Sequence, residues 1–340
     1  MNKMFRFHTI KKIEVDCTSY CNAFCGACDR NVNGGPTVDG LGLNHISLDI
    51  WKSLITRENL EYINEIIFNG NFGDFSMHPN FIEMIDHLLM VKNDIYVNLH
   101  TNGGARSPEF WSMLGTLLSK FTKHDIKWGI DGLENNHNLY RRGLDWNKRI
   151  ANLSAFNSAG GNSIWKCIVF DYNKDIIDEI SNTAKSLGCV AFQTNRNRSF
   201  PIEMIQYKEF EAGTLTSPTI YEFNRLYKRR DSFRPTNRTP DTSALPPDTS
   251  FMCPYGEDGM VQVDPWGNIW PCCYISGRQV DRNTNFPYEL CGKNICIKSN
   301  SLKDITEFMS DYLYKEWKNQ SIDLCNRCSG ISRPIPIYQG

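Results

Sequence analysis

The chain contains no run of 18 apolar residues, so no segment is expected to cross a membrane. Its opening, MNKMFRFHTIKKIEVDC, lacks the apolar stretch of a secretory signal, which leads us to expect a reducing, cytoplasmic setting where disulfides are rare. Net charge is nearly absent. The 37 Lys and Arg against 38 Asp and Glu leave −1, which argues against general binding to nucleic acid or to an anionic membrane surface. No internal repeat and no long low-complexity tract is visible, so repeat arrays and disordered scaffolds are not expected.

Cysteine, by contrast, is plentiful: 13 in 340 residues. In a reducing compartment that many thiols point to metal centres. The 41% apolar share is enough for a sizeable core, and the length suggests about two domains. The densest set, Cys21, Cys25 and Cys28 in CNAFCGAC, follows a short apolar strand pattern at Ile10 to Val15. Three thiolates on a 4Fe-4S cluster leave one iron open to a cofactor or substrate, whereas an electron-carrying cluster normally uses four. A zinc site would draw in Cys17 as a fourth ligand, yet no second C-x2-C or H-x3-H lies nearby to supply the second ligand turn.

Beyond that loop, short apolar runs alternate with amphipathic helical stripes. Strands are expected at Glu65 to Phe68, Ile95 to Leu99, Ile126 to Ile130, Ser163 to Phe170 and Cys189 to Gln193. Ser47 is placed to cap a helix carrying Ile50, Leu54 and Ile55. Further stripes run through Phe81, Ile85 and Leu88; Phe110, Leu114 and Leu117; Trp146, Ile150 and Leu153; and Ile176, Ile180 and Leu187. Six strands alternating with helices imply one parallel sheet with right-handed crossovers and its chemistry at the C-terminal strand ends. The unusual residues fall there. Asn69-Gly70-Asn71-Phe72-Gly73-Asp74 follows the second strand, Thr101-Asn102-Gly103-Gly104 the third and Asp131-Gly132 the fourth.

In this arrangement the chain resembles the radical S-adenosylmethionine superfamily over about Ile10 to Gln193, with Cys21, Cys25 and Cys28 matching its signature spacing. The resemblance implies a partial (β/α)6 barrel of the TIM type. It also implies a cluster whose open iron chelates the cofactor's methionine part and cleaves it to a 5′-deoxyadenosyl radical. Gly70, Asn71, Gly73 and Asp74 look like the family's glycine-glycine-glutamate turn, which accepts hydrogen bonds from the cofactor's amino group. Asn102 and Asp131 are then expected to face the ribose, and Arg142 in Tyr140-Arg141-Arg142-Gly143 to grip the carboxylate. Three positions depart from the family pattern. Ala27 stands where an aromatic residue is usual, so only its backbone can meet the adenine, and Phe24 is the nearby ring. Asp74 is shorter than the usual acid, and Gly129 replaces a frequent serine.

The C-terminal third holds a second cysteine set: Cys253, Cys272 nineteen residues on, and the pair Cys325 and Cys328. Met260 to Val263 and Ile269 to Cys273 flank Asp264-Pro265-Trp266-Gly267-Asn268 and read as a β-hairpin; Leu302 to Trp317 reads as a helix. Four thiolates from one compact unit give a structural zinc or a fully ligated 4Fe-4S cluster, and spacing alone does not choose. The pattern resembles the twitch domain, a shortened SPASM domain, which implies one auxiliary cluster. Cys273, Cys291 and Cys296 are surplus to it, with Cys273 expected on the opposite side of a strand from Cys272. These three, with Cys17, Cys167 and Cys189, are expected to be small buried hydrophobes.

The expected organisation is thus a core barrel over 1–200, a partly helical linker over 201–250, and a small α+β auxiliary-cluster domain, hairpin plus helix, over 251–340. Arg225, Lys228, Arg229, Arg230, Arg234 and Arg238 in the linker, with Arg196 and Arg198, are set either to face an acidic substrate group or to form a solvated surface. The resemblance implies S-adenosylmethionine, two 4Fe-4S clusters and an electron donor such as flavodoxin or ferredoxin. Net oxidation of a small polar molecule is favoured, with the auxiliary cluster taking the electron, because only nine residues precede the first strand. Peptide or protein modification is the alternative, and a zinc-stabilised, non-catalytic binding protein the alternative of another class. No side chain is identified as a catalytic acid, base or radical relay.

Overall fold

The computed structural model describes residues 4–26, 28, 30–31, 34–195, 253–277, 294–319, 322 and 325, with the backbone of Arg196 and of two short strands at 207–210 and 215–216. Ala27, Cys291, Cys328, the linker's basic residues and its expected helix lie outside the described residues.

One mixed sheet organises the molecule. Its strands are β1 (Lys12–Val15), β3 (Glu65–Phe68), β4 (Tyr96–Thr101), β5 (Lys123–Gly129), β7 (Ser163–Val169), β8 (Ala191–Arg196), β9 (Tyr207–Phe210), β10 (Leu215–Thr216), β11 (Met260–Val263) and β12 (Ile269–Trp270). A separate two-stranded piece pairs β2 (Phe24–Cys25) with β6 (Arg141–Arg142). The order β10-β9-β8-β7-β5-β4-β3-β1-β11-β12 is parallel from β8 to β11 and antiparallel at both edges. Each expected strand is present within a few residues. The first starts at Lys12 rather than Ile10 because a 3-10 turn at Phe7–Thr9 takes the Ile10 amide onto the Phe7 carbonyl.

Helices α1 (Leu48–Leu54), α2 (Phe81–Val91), α3 (Pro108–Leu118), α4 (Trp146–Ser158) and α5 (Ile177–Ser186) follow successive strands. The Ser47 hydroxyl caps α1 by accepting from the Ile50 amide, as expected. One face of β1, β3, β4, β5, β7 and β8 packs into the core with these helices: Ile13, Val15, Ile66, Phe68, Val97, Leu99, Ile126, Trp128, Trp165 and Phe192 are all buried. Trp51 donates its N–H to the Met84 carbonyl at 2.9 Å and Trp165 to the Ile130 carbonyl at 2.9 Å, whereas the buried Trp128 N–H has no partner among the described residues. Among the described residues no helix is long and apolar enough to cross a membrane.

The other face is polar. Asn98 donates to Glu65 at 3.0 Å and accepts from Lys127 at 3.0 Å, while Tyr96 donates to Asp125 at 2.6 Å. Such residues alternate with the apolar ones at the two-residue period of a strand. A parallel sheet with one polar face suits a partial barrel, since a sheet packed against apolar layers on both faces reads as continuous apolar runs.

The described backbone of the bridge forms two antiparallel strands not expected from the sequence, β9 on β8 and β10 on β9; the helix expected over Ile220 to Phe233 and the extended stretch after it lie outside the described residues. The C-terminal hairpin forms, but its second strand stops at Trp270. β11 pairs in parallel with β1, from Lys12 beside Met260 to Val15 beside Val263, so the hairpin continues the barrel sheet. Cys273 does not sit on a strand; it opens a short helix, Cys273–Gly277. The expected helix spans Leu302–Lys318, with Ser301 accepting from the Asp304 amide at 3.1 Å.

Asp264 holds the hairpin turn. Its oxygens, fully buried, accept from the Trp266 and Asn268 amides at 2.9 Å each, the Asn268 side chain at 2.9 Å and the Trp270 indole at 2.8 Å. Gly267 follows at φ 86, where a side chain would also meet Ile50. Asp264→Ala strands these donors in the interior and is expected to cost about 2–4 kcal/mol, read as a lower urea midpoint at unchanged slope.

Candidate active site

The cysteine loop lies against the C-terminal ends of the parallel strands. Cys21, Cys25 and Cys28 gather with Ala23, Leu144 and Tyr140 in one small apolar cluster separate from the main core. The pairing of β2 with β6 sets Phe24 opposite Arg142 and Cys25 opposite Arg141, which fastens the loop to the segment after β5. Among the described residues no three His, Cys, Asp or Glu side chains are placed to hold a single metal ion. A four-iron cluster asks for something else, one thiolate on each of three irons, and three thiols gathered in one cluster fit that donor set.

The turn after β3 supports this loop. A Cβ at Gly73 would stand 2.3 Å from the Thr18 carbonyl and 2.5 Å from that of Tyr20, so only glycine lets the turn approach the residues leading into Cys21. Asp74 is turned inward. Its carboxylate, 4% exposed, accepts from the Ser76 amide and hydroxyl, from the Thr101 hydroxyl at 3.0 Å and from the Asn102 amide at 2.7 Å. Gly70 is exposed, while Asn71 turns down to donate to Asp16 through its amide at 3.0 Å and through its side chain to Glu14.

Asp131, expected at the ribose, is fully buried and occupied: Oδ1 accepts from the Ile168 amide at 2.7 Å and Oδ2 from Arg141 Nε at 2.6 Å. Consecutive residues of a strand face opposite ways, so of Arg141 and Arg142 only Arg141 reaches Asp131, its guanidinium lying over Gly129. Arg142 is exposed on the loop side. Asn102 places its side-chain amide 3.7 Å from the Cys21 sulfur and 2.9 Å from Asn22 Oδ1.

Two features escaped the sequence reading. Arg149, on α4, is completely buried; it donates to the carbonyls of Asn102 at 2.8 Å and Gly129 and to His137 Nδ1 at 3.1 Å. Burial and the neighbouring Arg141 lower its pKa to about 9, and burial with Arg149 lowers that of His137 to about 4, so His137 accepts as a neutral ring. The signal available was weak, one arginine in an amphipathic stripe. The second feature is a carboxylate pair, Glu14 on the polar face of β1 and Asp16 just after the strand, with Asn69, Asn71 and Gln262 around it; Gln262 donates to Asp16 at 2.6 Å. Its signal was the alternation Ile13, Glu14, Val15, Asp16.

Burial pushes the Cys21 thiol up to about 12, with Asp74 adding to the effect, and raises Cys25 against the opposing pull of Arg141. Thiols held neutral in the bare chain give up protons when iron binds. In the second set, burial raises Cys272, and the next causes are Cys273, Cys253 and Cys325, which places these thiols around it. Cys273 also meets Tyr255, whose hydroxyl stands 2.9 Å from its sulfur. Cys17, Cys167 and Cys189 are buried in the core as expected; Cys296 is half-buried beside Asn268.

No protein-family model matches the chain, and no curated protein matches it significantly. Solved structures do. Streptococcus suis SuiB bound to S-adenosylmethionine is similar with TM-score 0.57 at 13% identity, over 95% of this chain and 73% of that one. anSMEcpe with bound AdoMet is similar with TM-score 0.54 at 16% identity, over 96% and 86%. SuiB bound to the precursor peptide SuiA gives TM-score 0.54 at 12% identity, over 95% and 72%.

Asp16 supplies a pH test. Burial, then Glu14, hold its pKa well above the ordinary carboxylate range. The folded state therefore keeps this proton more tightly than the unfolded chain, so the stability it contributes is lost as pH rises above about 4. In Asp16→Asn the buried Gln262 Oε1, which has no hydrogen-bond partner, can turn to accept from the new amide. The urea midpoint is expected to fall less between about pH 5 and about pH 8 in this variant than in the native chain; equal falls would clear Asp16 of the dependence.

Proposed function

We propose that this chain, which has the fold of the radical S-adenosylmethionine enzymes, is itself such an enzyme. The observation that supports it best is the convergence of Cys21, Cys25 and Cys28 beside the strand-end turns of a partial barrel. When bound, a three-thiolate 4Fe-4S cluster and S-adenosylmethionine together supply one-electron cleavage of the sulfonium and a radical that takes hydrogen from substrate. The chain's own part is to bind, orient and offset charge. Arg141 and Arg149 stand near Cys25 and oppose the negative charge that thiolates bring. The exposed turn at Gly70 offers backbone carbonyls to the cofactor's amino group, and the exposed Arg142, beside the cysteine loop, meets its carboxylate.

Within this reading Asp74, Asn102 and Asp131 support the cofactor site through the strand ends, because their polar atoms are already engaged there. Ala27 contributes its backbone at the adenine. Cys253, Cys272, Cys325 and Cys328 hold the auxiliary cluster, three of them gathered in space and Cys328 outside the described residues. The reaction is a net oxidation of a small polar substrate, with flavodoxin or ferredoxin as the electron source. Peptide modification is the second reading, favoured by the peptides held in two similar structures, SuiB with SuiA and anSMEcpe with Cp18Cys.

Anaerobic reconstitution is expected to load about eight irons per chain, and changing Cys21, Cys25 and Cys28 together to Ala to leave about four. Zinc at the second set, with about four irons in the native chain, would remove the auxiliary cluster from this account. With dithionite, the loaded protein is expected to release 5′-deoxyadenosine from S-adenosylmethionine and the triple variant none. Arg142→Ala is expected to weaken cofactor binding roughly ten- to hundredfold at unchanged iron content, measured by equilibrium binding to the loaded protein.

A further inference from the structure

Asn102 is held by more contacts than its place in a loop would require. Its amide donates to Asp74 at 2.7 Å, its carbonyl accepts from buried Arg149 at 2.8 Å, and its side-chain Oδ1 accepts from the Gly104 amide at 2.7 Å. That last bond decides which way the side-chain amide faces. With Oδ1 taken by an N–H, Nδ2 must be the end that meets Cys21 Sγ at 3.7 Å and Asn22 Oδ1 at 2.9 Å. The site is dry, since Asn102 is 4% exposed. Cys21 Sγ also accepts from the Ala23 amide at 3.4 Å.

We propose that Asn102 is a positioning residue for the cluster, donating an N–H to the Cys21 thiolate and thereby raising the cluster's reduction potential. The inference rests on the reading of Cys21, Cys25 and Cys28 as cluster ligands. A hydrogen bond to a ligand sulfur withdraws electron density from it. The reduced cluster holds one more electron and so gains more from that bond than the oxidised one, which moves the potential upward. Low local dielectric strengthens the effect, because the donor and the sulfur lie where water is scarce. Asp74 and Arg149 act one step further back: by fixing the backbone of residue 102 on both sides they keep the amide aimed.

The test is an EPR-monitored redox titration of the reconstituted first cluster, without S-adenosylmethionine, in chains whose Cys253 and Cys272 are replaced by Ala so that one cluster is read. Asn102→Leu removes the donor at similar size and without charge. It is expected to keep its iron and to be about tenfold harder to reduce at a given potential, a shift of about 59 mV to more negative values for one electron. Midpoints that agree between the two chains, with iron loaded in both, overturn the role of Asn102 while leaving the cluster in place. Iron missing from Cys21, Cys25 and Cys28 in the chain with Asn102 intact overturns the cluster reading and this inference with it. Should the leucine variant fail to load, 15N-asparagine labelling of the intact chain decides: pulsed EPR of the reduced cluster is expected to show a 15N coupling, and its absence overturns the proposal.

Discussion

The buried guanidinium of Arg149 is the constraint on which the site depends. Parallel strands end with carbonyls that no neighbouring strand satisfies, and here those of Asn102 on the β4 side and Gly129 on β5 are both taken by this one side chain. Placing a cation at zero exposure costs several kcal/mol, and a neutral His137 that accepts, together with the attraction of Asp131, Cys25 and Asp74, offsets it. An arginine reaches three acceptors in a fixed plane, which a lysine cannot do. The two strand ends therefore keep one separation, and the turns that grow from them face the cysteine loop at one angle.

Asp74 works from the other side of the same junction. By accepting from Ser76, Thr101 and Asn102 it ties the turn after β3 to the end of β4, while Gly73 lets that turn rest on Thr18 and Tyr20 just before Cys21. The pairing of β2 with β6 closes the ring by fastening Cys25 to Arg141, and Arg141 to Asp131. Charge placement follows from this geometry. Arg141 and Arg149 stand near Cys25, where their positive charge opposes the upward push of burial on its thiol. The polar face of the same sheet carries a Glu65, Asn98 and Lys127 chain of hydrogen bonds, so the side away from the helices is lined by polar groups. β11, paired to β1, brings Gln262 onto Asp16 on that face, so the C-terminal hairpin helps to shape the interior as well as to present Cys253 and Cys272.

Much was legible in the chain because it depended on local rules. Periodicities of two and 3.6 residues located six strands and their helices, Ser47 announced a helix start, and Asp264 to Asn268 a hairpin turn, since backbone conformation and the apolar stripe act over a few residues. The spacing of Cys21, Cys25 and Cys28 was legible for the same reason. The face of a single residue was not. Arg141 and Arg142 are adjacent and identical, and only the pairing register of a two-residue strand turns the first inward to Asp131 and the second outward.

The amino-acid sequence by itself determined the strand and helix order, the parallel sheet, and the cysteines at its first strand end, because each follows from short-range patterning of apolar, turn and thiol residues. Tertiary structure alone decided that Asp74 and Asp131 turn inward, that Arg149 lies buried beneath the strand ends, that Asn102 points at a sulfur, and that Cys273 meets Tyr255. Those outcomes depend on partners 10 to more than 80 positions away in the chain, as with Asn102 and Cys21, 81 apart. A polar group is assigned to its partner by burial and distance, which no local pattern records.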